Sequence, residues 1–186
     1  RPTRGRPVAR RLRDNDRVLL RAYRAIAAGI REERAITPAA EWLVDNFHVV
    51  EDQIREIRDD LPRRYYLQLP KIAEGHLEGY PRVLGVAWAY VAHTDSRFDP
   101  PTLQRFVSAY QRVQPLTIGE LWALAITIRI VVVENLRRIA DAIVQGRTAR
   151  RDADALADSL LSVGQRTAAE ATLTLLRLEE RPLPTA

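Results

Sequence analysis

The segment from Thr117 to Ile143 limits the fold more than any other part of the sequence. It opens with Thr117-Ile118-Gly119-Glu120, the pattern of a capping box. The threonine hydroxyl can accept the backbone N–H of Glu120, and the carboxylate can reach back. From Leu121 to Val133 a helical wheel is apolar on every side, Thr127 and Arg129 aside, and the pattern then turns amphipathic through Ile143. A helix that is apolar all round is normally enclosed by others. The run contains Arg129 and falls short of the roughly 20 residues of a membrane span. Gly146 is expected to stop the helix.

The remaining segments supply helices to enclose it. Residues 16–34 place Leu19, Tyr23, Ile26 and Ile30 at spacings of 4, 3 and 4, after cap candidates Asp14, Asn15 and Asp16. Thr37 and Pro38 open a second helix as N-cap and first helical residue, with Glu41 adding negative charge in the first turn. Its stripe is Leu43, Phe47, Val50, Ile54, Ile57 and Leu61, and Pro62 ends it. Residues 62–80 hold Pro, Gly and a Tyr-Tyr pair and read as an irregular loop with at most one helical turn. Connections of that length are often functional. A third helix covers about 81–94. A fourth starts at Asp99-Pro100, carries Leu103, Phe106, Val107, Tyr110 and Val113, and ends at Pro115. Residues 149–163 form another, closed by Gly164, and Thr167-Ala168-Ala169-Glu170 caps a last one. No run alternates with a period of two. The sequence therefore predicts an all-α fold, an irregular bundle of about seven helices around the buried helix at about 117–145.

Charge divides the chain unevenly. All but one of the 29 basic residues are arginine, Lys71 being the exception. Six of them lie in residues 1–13 (RPTRGRPVARRLR), which hold no acid. That leaves 23 basic against 24 acidic residues for 14–186, so the formal net charge of +5 belongs to the N-terminal segment. Residues 1–13 are expected to be a basic flexible arm and 14–186 a single helical domain. No nucleic-acid partner is expected from a neutral body, although the arm itself could touch phosphates or acidic headgroups. The chain begins at Arg1 and contains no Met, which suggests a piece of a longer protein.

Composition removes several chemistries. With no Cys there is no disulfide scaffold, thiolate metal site or cysteine nucleophile. His48, His76 and His93 are scattered without metal-ligand spacing, so no metal site is expected. No nucleotide-binding glycine loop and no GxSxG elbow occur. Carboxylates on helices could in principle form a glycosidase pair, from Glu41, Asp45 and Glu51 or from Glu120 and Glu134. Arg129 and Glu134 sit on the helix expected to be buried, so each needs a partner, with Arg55, Glu51 and Arg137 as candidates. An ion pair fixing register is the plainer reading, and ligand binding the sharper one. His48 and His93 read as structural histidines. Trp42, Trp88 and Trp122 are expected to pack in the core rather than stack on sugar rings. Tyr65 and Tyr66, in the irregular segment, are the better surface aromatics.

Four runs carry a family resemblance: AAEWLVDNFHVVEDQIREIRDDLP (39–62), YYLQLPKIAEG (65–75), GYPRVLGVAWAYVAHTDSRFD (79–99) and AYQRVQPLTIGELWALAITIRIVVVENLRRIAD (109–141). They resemble, in order, the N-terminal region of cyclic β-1,2-glucan synthases, over about Ala22–Ala142. The resemblance implies a large bacterial inner-membrane enzyme that joins a UDP-glucose-dependent glycosyltransferase, membrane helices and a phosphorylase-like C-terminal domain. The transferase's aspartate-rich metal and nucleotide motifs and its Q/R-x-x-R-W segment are not in this sequence, so no catalytic residue carries over. UDP-glucose and a divalent metal would belong to the parent enzyme, with no cofactor in this piece. The matched residues stand as ligand-binding or interdomain candidates: Glu41, Trp42, Asp45, Asn46, Glu51, Gln53, Arg55, Pro81, Arg82, His93, Asp95, Glu120, Trp122, Glu134, Asn135 and Arg137. Tyr65, Tyr66 and Arg129 join them on the grounds given above. The expected role is a helical accessory or regulatory domain on the cytoplasmic face of the inner membrane. Its partners would be the remaining domains of the same polypeptide, with the membrane reached only through the parent. The alternatives are a carbohydrate-binding module holding β-1,2-glucan and a stand-alone glycosidase using helix carboxylates.

Overall fold

The computed structural model describes residues 7–31, 36–60 and 65–163. Among them are seven helices, α1 (Val8–Arg31), α2 (Pro38–Asp45), α3 (Phe47–Asp60), α4 (Tyr65–Gln68), α5 (Arg82–His93), α6 (Pro100–Val113) and α7 (Ile118–Val163). The described residues form no strand, only an isolated antiparallel bridge between Lys71 and Pro81. The all-α class is as the sequence pattern predicts. The chain divides into two compact units, residues 1–141 and 142–186.

Helix α1 begins at Val8, well inside the segment expected to be a flexible arm. Val8, Leu12, Asn15, Leu19, Ala22 and Ile26 recur at spacings of 4, 3, 4, 3 and 4, and all six are buried. The stripe therefore starts at Val8 rather than Leu19, about three turns earlier than the sequence reading placed it. Four arginines among residues 8–17 mask it, because each falls between the buried positions. Residues 1–6 lie outside the described part of the chain.

The second predicted helix is present but broken. Thr37 caps α2 as expected, its hydroxyl accepting the Ala40 N–H at 3.3 Å. At Asn46 the backbone turns out of the helix, and the side-chain amide donates to the Trp42 carbonyl at 2.8 Å. Asparagine competes in this way with the helical ladder. The apolar stripe persists across the break, since Leu43, Phe47, Val50, Ile54 and Ile57 are all buried. Leu61, the last member of the stripe, lies outside the described residues. Tyr23 of α1 stacks on Phe47 of α3 with ring centroids 4.2 Å apart.

The segment after α4 folds back on itself. Ile72 N–H donates to the Tyr80 carbonyl, Gly79 N–H to that of Ile72, and Arg82 N–H to that of Pro70. Gly79 is buried with φ of 78°, a conformation that a side chain would strain. Leu69 and Leu77 anchor this loop in the core. Gly119 lets α4 approach α7: a Cβ there would lie 3.1 Å from Leu69 and 3.2 Å from the Tyr65 hydroxyl.

Asp99 caps α6 through the Thr102 N–H, as its position before Pro100 predicts. Helix α6 buries no residue fully, and Val113 ends in solvent at 89% exposure. Helix α7 carries Ala123, Leu124, Thr127, Ile128, Ile130, Val131, Val133 and Ala140 on its buried side. It does not stop at Gly146 but continues to Val163, absorbing the helix predicted at 149–163. A lone glycine costs a helix only about 1 kcal/mol and does not by itself end it. The helix predicted after Thr167 lies outside the described residues. A Cβ at Gly146 would meet nothing within 4 Å. Gly146→Ala is therefore expected to stabilise the helix by about 0.5–1 kcal/mol, read as a higher melting temperature by circular dichroism. A helix ending at this glycine would lose stability on the same substitution.

Candidate functional site

Two buried carboxylates on α7 organise the polar interior of the first unit. Glu120 is fully buried and Glu134 nearly so. Glu120 completes the predicted capping box: its N–H donates to the Thr117 hydroxyl at 3.2 Å, and its carboxylate accepts the Thr117 N–H at 2.9 Å. The same carboxylate receives Arg82 of α5 in a two-pronged pair, Nε at 2.8 Å and Nη2 at 2.6 Å. Arg82 Nη2 also donates to the Pro115 carbonyl at 2.9 Å. Burial pushes the Glu120 carboxyl up, but the Arg82 and Thr117 hydrogen bonds outweigh it and hold it below the usual range. The hydrogen bond to Glu120 in turn raises the Arg82 guanidinium.

Glu134 pairs with Arg11, whose Nε and Nη2 each donate to one carboxylate oxygen. The pairing differs from the nearby partners expected from sequence. Arg11 comes from the segment read as a free arm, and helix α1 carries it to α7. Its guanidinium lies 5.2 Å from the Tyr80 ring centroid and 5.4 Å from that of Trp88. Burial works against the Arg11 charge, yet the hydrogen bonds to Glu134 and Tyr80 prevail and raise its pKa further.

Beside this pair a cleft of about 450 Å³ opens between α1 and α7, lined by Pro7, Arg10, Arg11, Asp14, Asn15, Tyr80, Glu134 and Arg137. Asn15 is 1% exposed, and neither atom of its amide has a hydrogen-bond partner among the described residues. Arg137 Nε is 3.4 Å from the Asp141 carboxylate, an ion pair without hydrogen-bond geometry. The sequence reading did not place Arg11 or Tyr80 at a site, and it took Asn15 for a helix-cap candidate, whereas Asn15 lies buried within α1. The 4-3-4 spacing of Val8, Leu12, Asn15 and Leu19 was the available signal.

The sequence candidates fall in several places rather than one. Arg129 bonds to Gln53 at 2.9 Å and to Glu56 at 2.6 Å, and lies 3.6 Å from Asp60, so α3 supplies its partners. Asn135 donates to the Ser96 hydroxyl at 2.7 Å, across from a turn in which Asp95 and Ser96 both have positive φ. Tyr65 and Tyr66 are not surface aromatics. Tyr65 donates to the Gly119 carbonyl at 2.7 Å, and buried Tyr66 meets the Thr127 hydroxyl at 3.0 Å. Burial raises the Tyr66 phenol. Trp42 and Trp122, expected in the core, are 54% and 78% exposed, and Trp88 is half-buried. Glu41, Asp45, Glu51, His48 and His93 are exposed. Arg55 is exposed and pairs with Asp52.

This arrangement does not assemble a carboxylate pair for glycoside hydrolysis. Glu120 and Glu134 are two heptads apart, about 21 Å along the helix, against the roughly 5–9.5 Å that such chemistry uses. Each is also bound by a guanidinium on both oxygens. Among the described residues no three His, Asp or Glu side chains gather where a metal could sit, and no helix is long and apolar enough to cross a membrane.

The solvent-facing strip of α7 is the other notable surface. Ile118 (77% exposed), Leu121, Trp122, Val132 and Ile139 face water along it. The described residues therefore leave this face of the helix open, in contrast to the all-round burial expected from its apolar sequence.

No protein-family model matches the chain. Over 151 residues, 81% of the chain, it is 47% identical to the cyclic β-(1,2)-glucan synthase NdvB of Rhizobium meliloti (strain 1021). The chain spans 5% of that protein's length.

Because the Glu120 carboxyl is depressed in the folded state, its contribution to stability is present above the unfolded value of about 4.3 and is lost as pH falls through the folded value. Acid titration of unfolding free energy should show a shallower loss below about pH 4.3 in Glu120→Gln than in the unmodified chain. Equal slopes would mean that Arg82 does not hold the carboxylate.

Proposed function

Because the chain is a cyclic β-1,2-glucan synthase-related segment, we propose that it serves such an enzyme as a helical accessory domain, docking on the enzyme's other domains and positioning or regulating its transferase. The observation that carries this reading is the apolar strip of α7. Ile118, Leu121 and Trp122 gather exposed apolar side chains within about one turn, and such a cluster marks an interaction surface more often than isolated exposed apolar residues do. In this reading UDP-glucose and its divalent metal are bound by the catalytic domain of the parent polypeptide. The segment lies on the cytoplasmic face of the inner membrane and reaches the membrane only through that parent. Paired guanidinium–carboxylate bonds at Glu120 and Glu134 support a structural rather than a catalytic role for these residues.

The test is made in a full-length synthase that contains this segment. Replacing Trp122 with Asp, alone and with Ile118→Asp, should leave the segment folded, since both side chains stand in solvent. Loss of a central aromatic anchor weakens an interface by about 2 kcal/mol or more. Glucan synthesis per enzyme should therefore drop well below that of the unmodified synthase. Trp42→Asp, an equally drastic change at an exposed tryptophan on α2, should leave synthesis unchanged. Unaltered synthesis by the Trp122 and Ile118 variants would refute the docking role.

A further inference from the structure

We propose that the cleft between α1 and α7 is a binding site for an uncharged polyhydroxylated ligand, a sugar or polyol presenting neighbouring hydroxyls. The site is separate from the apolar strip, and the proposal does not depend on the accessory role argued above.

The argument starts from Asn15. Its side chain lies on the buried stripe of α1, at a position where the 4-3-4 spacing calls for an apolar residue. Its amide is enclosed at 1% exposure, with both the donor and the acceptor unfilled. Buried polar groups are nearly always hydrogen-bonded, and an unfilled one is costly. Arg137 Nε, a second buried donor on the wall of the same cleft, also carries no hydrogen bond. The cleft thus offers two donors and one acceptor that the protein itself leaves unanswered, beside a volume of about 450 Å³. That volume falls in the range of about 300–1,000 Å³ typical of small-molecule sites.

The chemistry of the unfilled atoms selects the ligand. A carboxylate or a fully ionised phosphate group only accepts hydrogen bonds, so it would leave the Asn15 carbonyl oxygen unanswered. A cation would leave the amide N–H and the Arg137 N–H unanswered. A hydroxyl both donates and accepts, and two neighbouring hydroxyls can answer an amide on both its atoms. The charged wall agrees. Glu134 is neutralised by Arg11, Arg137 lies against Asp141, and the lining also holds one further charge of each sign, Arg10 and Asp14, so neither sign dominates. Tyr80 contributes an aromatic surface to the wall. Arg11 is fixed by Glu134 and by the faces of Tyr80 and Trp88, so the cleft is formed before any ligand arrives.

The experiment uses the 186-residue chain labelled with ¹⁵N, titrated separately with D-glucose, myo-inositol and inorganic phosphate. The Asn15 side-chain amide resonances and the Arg137 Nε resonance report the site directly. Glucose or inositol should move both, saturably, in the millimolar range, while phosphate should not. Asn15→Leu fits the apolar stripe and should weaken this binding by about tenfold or more, the worth of the lost hydrogen bonds. Arg137→Met, on α7, should weaken it without touching the stripe of α1. The proposal is overturned if neither polyol moves these resonances at tens of millimolar, if phosphate saturates the site instead, or if both variants bind the polyol as the unmodified chain does.

Discussion

Two carboxylates buried along one helix set the terms for the rest of the first unit. Glu120 and Glu134 lie two heptads apart on α7, both withdrawn from water. A carboxylate in that position is tolerable only with a well-aligned partner, and the cost of leaving it alone is several kcal/mol. Each finds an arginine from a different part of the chain, bound through two parallel N–H···O bonds. The planar guanidinium suits this geometry where a lysine would not. Arg82 thereby fixes the first turn of α5 beside the start of α7. Arg11 fixes the first turns of α1 about four helical turns further along. Apolar stripes alone would permit helices to slide by a turn, whereas these pairs permit one register.

What could be read from the sequence follows the range of the interactions. The capping box at Thr117–Glu120, the Thr37 and Asp99 caps and the stripe from Leu43 to Ile57 are local patterns, and they are present as read. The second role of Glu120 is not local, because Arg82 lies 38 positions upstream. Glu134 was recognisable as a buried charge needing a partner, but that partner stands 123 positions away in a segment whose arginine density reads as a solvated arm. Val8 and Leu12 extend the stripe of α1, yet the basic residues around them hide its period. The tyrosine pair misled for a related reason. A Pro- and Gly-rich neighbourhood suggests surface, while Gly119 lets α4 sit directly on α7. Gly146 shows the reverse error, a helix breaker by statistics that a long helix simply carries.

The two surfaces of interest occupy different sides of α7. At 100° per residue, Ile118, Trp122, Val132 and Ile139 cluster on one side, and Glu134 and Arg137 face roughly a quarter-turn or more away. A partner docked along the apolar strip would leave the cleft beside Asn15 open. The chain spans 5% of the cyclic β-(1,2)-glucan synthase it matches, and under the proposed accessory role the remainder of such an enzyme would occupy the strip.

The central claim is that Arg11 and Glu134 act as one unit that fixes α1 on α7. A double-mutant cycle of Arg11→Met and Glu134→Leu, measured by denaturant unfolding, tests it most directly. Each single change should cost about 2 kcal/mol or more, because the other charge is left buried and unpaired. The double variant should be markedly more stable than the sum of the two losses predicts, with a coupling of at least about 1 kcal/mol. Losses that add within about 0.5 kcal/mol would contradict the account, and would mean that α1 is held on α7 by its apolar stripe alone.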